Sequence, residues 1–397
     1  MIGQFKNVQR SILFLLTLMA AILLASGCGT KETAKQPAAK AGETKAPAFI
    51  SWTAYDIGST GYIQSSAIAN ALKQADGVTV RIIPAGTDVS RLSPVRTGSI
   101  NYAATGAGAY YAFEGLDDFA TIDWGPQDLG LVWMCIADEG VGIAVTKESG
   151  IKTLADMKGK RVAWIPGAPA INIITEAFMA FGNLTWKDVV KVEFPSYGAS
   201  LKGLVEGTVD AAHTRSNAAG MYELASSPRG FKMLESPKDD KAGWDRLQKV
   251  APYILPFSAT VGAGGISAQN PIAIGNYPYP VLVAYANQKE DSVYQMAKMI
   301  HKNFDLYKGA NSSMPGWGAD KLLFQWRVPY HPGAVKYFKE QGWWKEEHQK
   351  HNDQLTAYYK NLKKTFDDAV SEAADKQIKS GDFAKFWLGK RQGIAGK

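Results

Sequence analysis

The sequence predicts an α/β protein of two lobes with a helical C-terminal extension. Short apolar strands alternate with amphipathic helices in two separate series, roughly 49–115 and 142–214, as in parallel sheets flanked by helices. After the N-terminal segments about 350 residues remain, too many for one ordinary core, so two lobes are expected. From 334 to about 387 the chain is mostly helical in pattern and rich in Trp, Lys and Glu.

The N-terminus reads as an export signal. Lys6 and Arg10 flank an apolar run at 12–25, too short and too soon followed by polar residues for an ordinary membrane span. It ends in Leu24-Ala25-Ser26-Gly27-Cys28, which resembles the lipobox of bacterial lipoproteins, with Ala25 where a large aliphatic residue is usual. Lipidation of Cys28 is the implied outcome, with 1–27 as the signal peptide. Residues 28–47 form a tether: past Cys28 it holds lysines, glutamates, prolines and alanines, but no large apolar residue that could drive folding. Loss of 1–27 removes Lys6 and Arg10 and no acid, so the formal charge falls from +7 to +5. That mild excess is spread along the chain, without the basic block that nucleic acid needs. The one other cysteine, Cys135, lies in the apolar run Leu131-Val132-Trp133-Met134-Cys135-Ile136 and reads as core.

The first lobe part is expected at 48–138. It opens with a strand at 49–53, then Tyr55-Asp56-Ile57-Gly58-Ser59-Thr60-Gly61-Tyr62 and a helix at 63–75. A strand at 78–83, a helix at 89–97, a strand at 101–104 and a tyrosine-rich helix follow. The second lobe, expected at 139–270, repeats the rhythm with strands at 142–146, 160–165, 190–194 and 209–214 and helices at 170–181 and 199–206. The return to the first lobe, with the C-terminal helices, is expected at 271–397. Pro278-Tyr279-Pro280 there precedes a strand at 281–286 and a strong helix at 292–305.

In open α/β sheets ligands bind beyond the carboxyl ends of strands, where helix N-termini offer unpaired N–H groups to anions. The loops at those ends are small and hydroxylated, which puts Tyr55, Ser59, Thr60, Gly61, Tyr62, Gly86, Thr87, Thr105, Gly106, Gly167 and Ala168 in the candidate site. Arg215-Ser216-Asn217 follows another strand, and the Arg215 guanidinium can take a carboxylate through two parallel hydrogen bonds. Gly-rich βα turns are also ordinary turns, and Arg215 could equally be an ion-pair partner. Arg91 reads as structural or exposed, and the Tyr110-Tyr111 pair as core.

The order of these pieces resembles the TAXI family of solute receptors, which serve TRAP-type transporters. The resemblance runs from about 50 to 342. It rests on the turn at 58–62, the segment Gly98-Ser99-Ile100-Asn101-Tyr102-Ala103, the stretch from Ser149 to Val162, Gly207-Thr208-Val209-Asp210-Ala211, and His331-Pro332-Gly333-Ala334 with Tyr337 and Glu340. Gly61 stands where a tyrosine is common, and Thr87-Asp88 replaces a Gly-Ser pair. The resemblance implies a type II periplasmic-binding-protein fold, two lobes around a ligand cleft. It also implies a monomer at the periplasm or cell surface that captures a small organic anion and delivers it to a TRAP-type permease. A receptor for an ABC importer would use the same fold, and an exported enzyme acting on a small carboxylate is the other alternative.

For an enzyme the chain shows no Gly-x-Ser-x-Gly elbow, no phosphate loop and no His-Glu-x-x-His helix. No cofactor or metal is expected: His348 and His351 sit on a charged helix read as a solvated face, and His213 is either a packed core residue or a ligand contact. Cys28→Ser is expected to release the protein from the membrane fraction. Retention there, measured by fractionation and immunoblot, would instead indicate an uncleaved signal anchor.

Overall fold

The computed structural model describes residues 48–394 except 58 and 167, so the expected signal peptide, Cys28 and the tether lie outside the described residues. The chain begins with β1 (Phe49–Ala54), α1 (Thr60–Asp76), β2 (Thr79–Pro84), α2 (Asp88–Arg96), β3 (Tyr102–Thr105), α3 (Gly108–Glu114) and β4 (Leu129–Met134). Ser59 starts α1 by accepting the Tyr62 N–H, and Gly77 ends it in the left-handed region at φ 68°, which glycine enters without a Cβ clash. Thr87 and Ser90 form a reciprocal capping box at the start of α2.

The chain continues through β5 (Val141–Thr146), β6 (Arg161–Trp164), α4 (Pro169–Phe181), β7 (Val190–Glu193), α5 (Tyr197–Glu206) and β8 (Ala211–Arg215). Next come α6 (Ala219–Ser226), β9 (Phe231–Met233), α7 (Lys241–Val250), β10 (Leu255–Ala259) and β11 (Ile272–Asn276). After these stand β12 (Val281–Tyr285), α8 (Glu290–Lys302), α9 (Phe304–Tyr307), α10 (Pro332–Glu340), α11 (Glu346–Asp375) and α12 (Ser380–Arg391).

Two sheets result. The first has the order β2-β1-β3-β12-β4, and the second runs β10-β11-β5-β8-β6-β7 with β9 beside β5. The alternating pattern argues for parallel sheets, but both are mixed. Where a helix intervenes, as in β1–β2 and β6–β7, pairing is parallel; β12 is antiparallel to β3 and β4, and β5 to β8 and β11. The odd strands arrive from the other sheet or from a loop, with no crossover helix to set their direction.

The chain passes between sheets at 135–140 and again at 277–280. The second passage lies beyond the expected return at 271, because β11 pairs within the second sheet. The two passages pair with each other: the Cys135 N–H donates to the Pro280 carbonyl at 3.0 Å and the Tyr279 N–H to the Cys135 carbonyl at 2.8 Å. Cys135 is fully buried, with its thiol 3.4 Å from the Ser313 carbonyl.

α12 folds back on α11 through Leu362, Phe366, Phe383 and Trp387, and the Trp387 indole donates to the Gly115 carbonyl at the end of α3. His348 and His351 depart from the expected solvated face. His348 packs 4.8 Å from the Phe324 ring, and His351 Nε2 lies 2.7 Å from the Trp326 carbonyl. The aromatic residues of 324–344 need cover, and the first turns of α11 supply it.

Trp317 ties the segment after α9 to the first sheet's layer. Its indole donates to Gln64 Oε1 on α1 at 2.6 Å, and its carbonyl accepts the Trp133 indole at 2.9 Å, all fully buried. Trp317→Phe is expected to strand the Gln64 oxygen and to lower stability by about 1–3 kcal/mol, read from the urea midpoint.

Candidate functional site

Arg215 closes β8 opposite Val141 of β5, at the carboxyl end of its strand. It is 7% exposed, and its guanidinium lies over two rings from the second passage, 4.5 Å from the centre of Tyr279 and 5.1 Å from that of Tyr277. Its side-chain hydrogen bonding among the described residues is confined to Tyr277, whose carbonyl accepts at 3.5 Å and whose hydroxyl also meets it. Glu139, on the first passage, brings Oε1 to 3.7 Å, an ion pair without a hydrogen bond. That oxygen accepts from Ser313 Oγ at 2.9 Å, while Oε2 is buried and unpartnered. Burial works against the Arg215 charge, but Tyr277, Glu139 and Tyr279 outweigh it and push the guanidinium pKa up. The same burial raises Glu139, against the pull of Arg215. A guanidinium has five donors, so most of those on Arg215 are unspent.

From the first sheet, Tyr55 follows β1 and meets Tyr279, ring centres 5.1 Å apart. Arg91 of α2 lies 3.9 Å over the Tyr55 ring. It is held there by Asp88 Oδ1 at 2.5 Å and the Ala85 carbonyl at 2.8 Å, buried at 3% exposure. Thus Arg91 is structural and buried. Desolvated guanidinium–tyrosine contacts of this kind contribute about 1–2 kcal/mol each.

The two central glycines are seats for these rings. A methyl group added at Gly61 would fall 2.7 Å from Tyr55 Cδ2 and 3.0 Å from Tyr279 Oη. At Gly106 it would fall 2.8 Å from Tyr279 Cδ2 and 2.8 Å from Tyr55 Oη. The rings therefore lie head to tail across Gly61 and Gly106. Burial pushes the Tyr55 and Tyr279 phenols up, so both keep their protons at neutral pH.

Other expected site residues are engaged elsewhere. Ser59 and Thr87 cap helices, and Thr105 donates to Asp88 Oδ1 at 2.9 Å. Gly86 is exposed beside Asp56, and Thr60 is the first residue of α1. Tyr62 lines a groove of about 390 Å³ with Leu306 and Tyr307, not the Arg215 cluster. Ala168 precedes α4 with its N–H on the Ile165 carbonyl, and Gly167 is outside the described residues. Ser216 Oγ donates to the Val261 carbonyl at 2.6 Å and accepts the Gly140 N–H at 3.2 Å. Asn217 Nδ2 reaches Ser313 Oγ at 3.0 Å and Ser312 Oγ at 3.3 Å, joining the β8 end to the segment after α9.

Tyr277, Tyr279 and Glu139 are absent from the sequence-derived set. The signal for the tyrosines was the alternation Tyr277-Pro278-Tyr279-Pro280, which rules out a helix and puts two rings in one short extended passage. Beyond Tyr277 the aromatic wall continues to Tyr253, 5.3 Å away, whose hydroxyl meets that of Tyr111 at 2.8 Å. The Tyr110-Tyr111 pair is buried as expected.

A family model matches residues 55–342, a span that contains every residue of this cluster. The chain belongs to the NMT1-like family. Solved structures similar to this NMT1-like chain include the alkanesulfonate-binding protein SsuA from Xanthomonas axonopodis pv. citri bound to MOPS, at 15% identity, TM-score 0.40, covering 79% of this chain and 85% of that one. The periplasmic aliphatic sulphonate binding protein SsuA from Escherichia coli is similar at 14% identity and TM-score 0.45, covering 87% and 100%. An ancestral arginine-binding protein bound to arginine matches at 16% identity and TM-score 0.39, covering 66% and 96%. No group of His, Cys, Asp or Glu among the described residues of the NMT1-like chain is placed to hold a metal ion.

His213, two residues before Arg215, is buried with Nδ1 unpartnered. Burial first, then the Arg215 charge, bring its pKa from 6.5 to about 3. Between those values the unfolded chain binds a proton that the folded chain refuses, so stability falls as pH falls, by up to ~1.4 kcal/mol per unit. His331, brought by burial to about 4, adds to the same slope. His213→Leu is expected to flatten the fall between pH 6.5 and 4 by up to one proton's worth, measured as the pH slope of the urea unfolding energy.

Proposed function

We propose that this protein is an extracytoplasmic receptor that captures a small organic anion, of carboxylate or amino-acid type, between its two lobes. It hands the anion to a TRAP-type membrane transporter and stays near that membrane through a lipid on Cys28. The observation that carries the reading is Arg215: a buried, charged guanidinium where the two sheets meet, with most of its donors unspent. A group with that much unused capacity, in a desolvated setting, favours a bidentate anion over water. The support for the TRAP partner is the ordered set of TAXI-like motifs, which spans nearly the same residues as the family match.

Capture follows from differential contact. The anion bridges Arg215 on the second sheet and Tyr55 with the α1 N-terminus on the first, so binding stabilises the closed arrangement. Ser59 accepts the Tyr62 N–H through its oxygen, which leaves its O–H free to donate to the solute. Glu139 holds Arg215 when no solute is present, and its weaker 3.7 Å geometry lets a carboxylate take over.

Arg215→Ala is expected to weaken solute binding about 10- to 150-fold, the loss of charge-assisted hydrogen bonds worth about 1.5–3 kcal/mol. Calorimetry on the folded variant measures it; an unchanged affinity would remove Arg215 from the site.

A further inference from the structure

The positive excess of the chain, read from the sequence as spread along it, sits by count in one place. Residues 376–397 hold six basic side chains and one acid, a net charge of +5, while 28–375 hold 36 of each sign and are neutral. This stretch lies past 342, outside the span of the family match.

Helix α12 presents that charge on a fixed face. Phe383 and Trp387 are fully buried against α11, and the Trp387 indole donates to the Gly115 carbonyl. On the outer side an open groove of about 760 Å³ runs along Ile378, Lys379, Lys385, Phe386 and Lys390, with Asp382 its one acid. Glu372 of α11 is paired with Lys376 and Lys390, and Glu114 with Arg391. Lys379 and Lys385 are exposed and have no ion-pair partner among the described residues. The Lys390 ammonium lies 5.3 Å from the centre of the Phe386 ring, and Leu388 is 40% exposed. Free ammonium groups beside accessible apolar side chains match the boundary of an anionic bilayer, where phosphates take the charges and the acyl edge takes the rings.

The patch sits at the opposite end of the first sheet from the Arg215 cluster. Gly115 closes α3, and nearby Gln127 donates its N–H to the Ala112 carbonyl and accepts the Tyr285 hydroxyl on its side-chain oxygen. Strand β12 is antiparallel to β3, with Val281 opposite Thr105, so Tyr285 lies beyond the start of β3. At that same end β1, parallel to β3, begins with Phe49 after the expected tether, whereas Tyr55, Gly61 and Gly106 lie past the other end. A surface held against α12 leaves the Arg215 cluster uncovered.

We propose that this basic face of α12 docks reversibly on anionic phospholipid headgroups and sets how the body stands on the membrane. The attraction fades within a Debye length, about 8 Å at physiological salt, so it orients the protein and does not anchor it. It depends neither on the solute nor on Cys28.

The test places an environment-sensitive dye on Ser380→Cys in full-length Cys28→Ser protein, where the other cysteine, Cys135, is fully buried. Phosphatidylglycerol vesicles are expected to shift the dye emission to the blue, and phosphatidylcholine vesicles are not. Lys379→Glu with Lys385→Glu is expected to raise the lipid needed for half the shift at least about ten-fold. Lys187→Glu with Lys238→Glu, an equal charge change on exposed residues of the second lobe, is expected to leave it unchanged. The comparison of the two lipids decides the matter even if the first pair fails to fold. An equal loss in both pairs, a shift with both lipids alike, or no shift at all would overturn the proposal. No shift with phosphatidylglycerol, but one with native membrane vesicles that the first pair abolishes, would replace the lipid with an acidic protein partner.

Discussion

A guanidinium taken out of water must be compensated by its surroundings, and the manner of compensation separates the two buried arginines. Arg91 is neutralised locally: Asp88, a carbonyl and the Tyr55 face hold it, with only Nε left without a partner. Arg215 is held by the faces of Tyr277 and Tyr279, by a long bond to a carbonyl and by a carboxylate beyond hydrogen-bond reach. The rest of the site follows from keeping that charge buried and open at once. Tyrosine ring faces can do so because they are negative and take no N–H donor, the Tyr277 hydroxyl meeting the guanidinium besides.

The glycines follow from the tyrosines. Tyr55 and Tyr279 need a floor without side chains, and Gly61 and Gly106 supply it from two different strand-to-helix turns. Asp88 and Thr105 then fix the neighbouring helix starts, so hydroxyls that could have served a solute hold the frame instead. The NMT1-like span ends at 342, before α11 and α12, whose small aromatic core rests on the end of α3.

Local periodicity made much of the architecture legible. The alternation of strand and helix in two series shows in the sequence because each element carries its own apolar pattern. Strand direction was not legible, since β12 and β5 take theirs from long-range passages between the sheets. Within the site, Arg215 and the turn glycines stood out, the former as a charge at a strand end and the latter as small residues at βα turns. The purpose of Gly61 and Gly106 was hidden, because the ring of Tyr279 comes from more than 170 residues away in the chain. Glu139 was invisible for the same reason, and the Tyr-Pro alternation at 277–280 marked an extended passage without showing what its rings would meet.

That pairing has a kinetic side. Tyr279 donates its own N–H to Cys135 while its ring lies under Arg215, so one residue belongs both to the connector and to the Arg215 cluster. A change in the angle between the sheets cannot leave that ring where it was. Under the proposed receptor function, release of a bound molecule and flexing of the connector would be a single event. The lifetime of such a complex would then be governed by backbone mechanics as much as by contact strength.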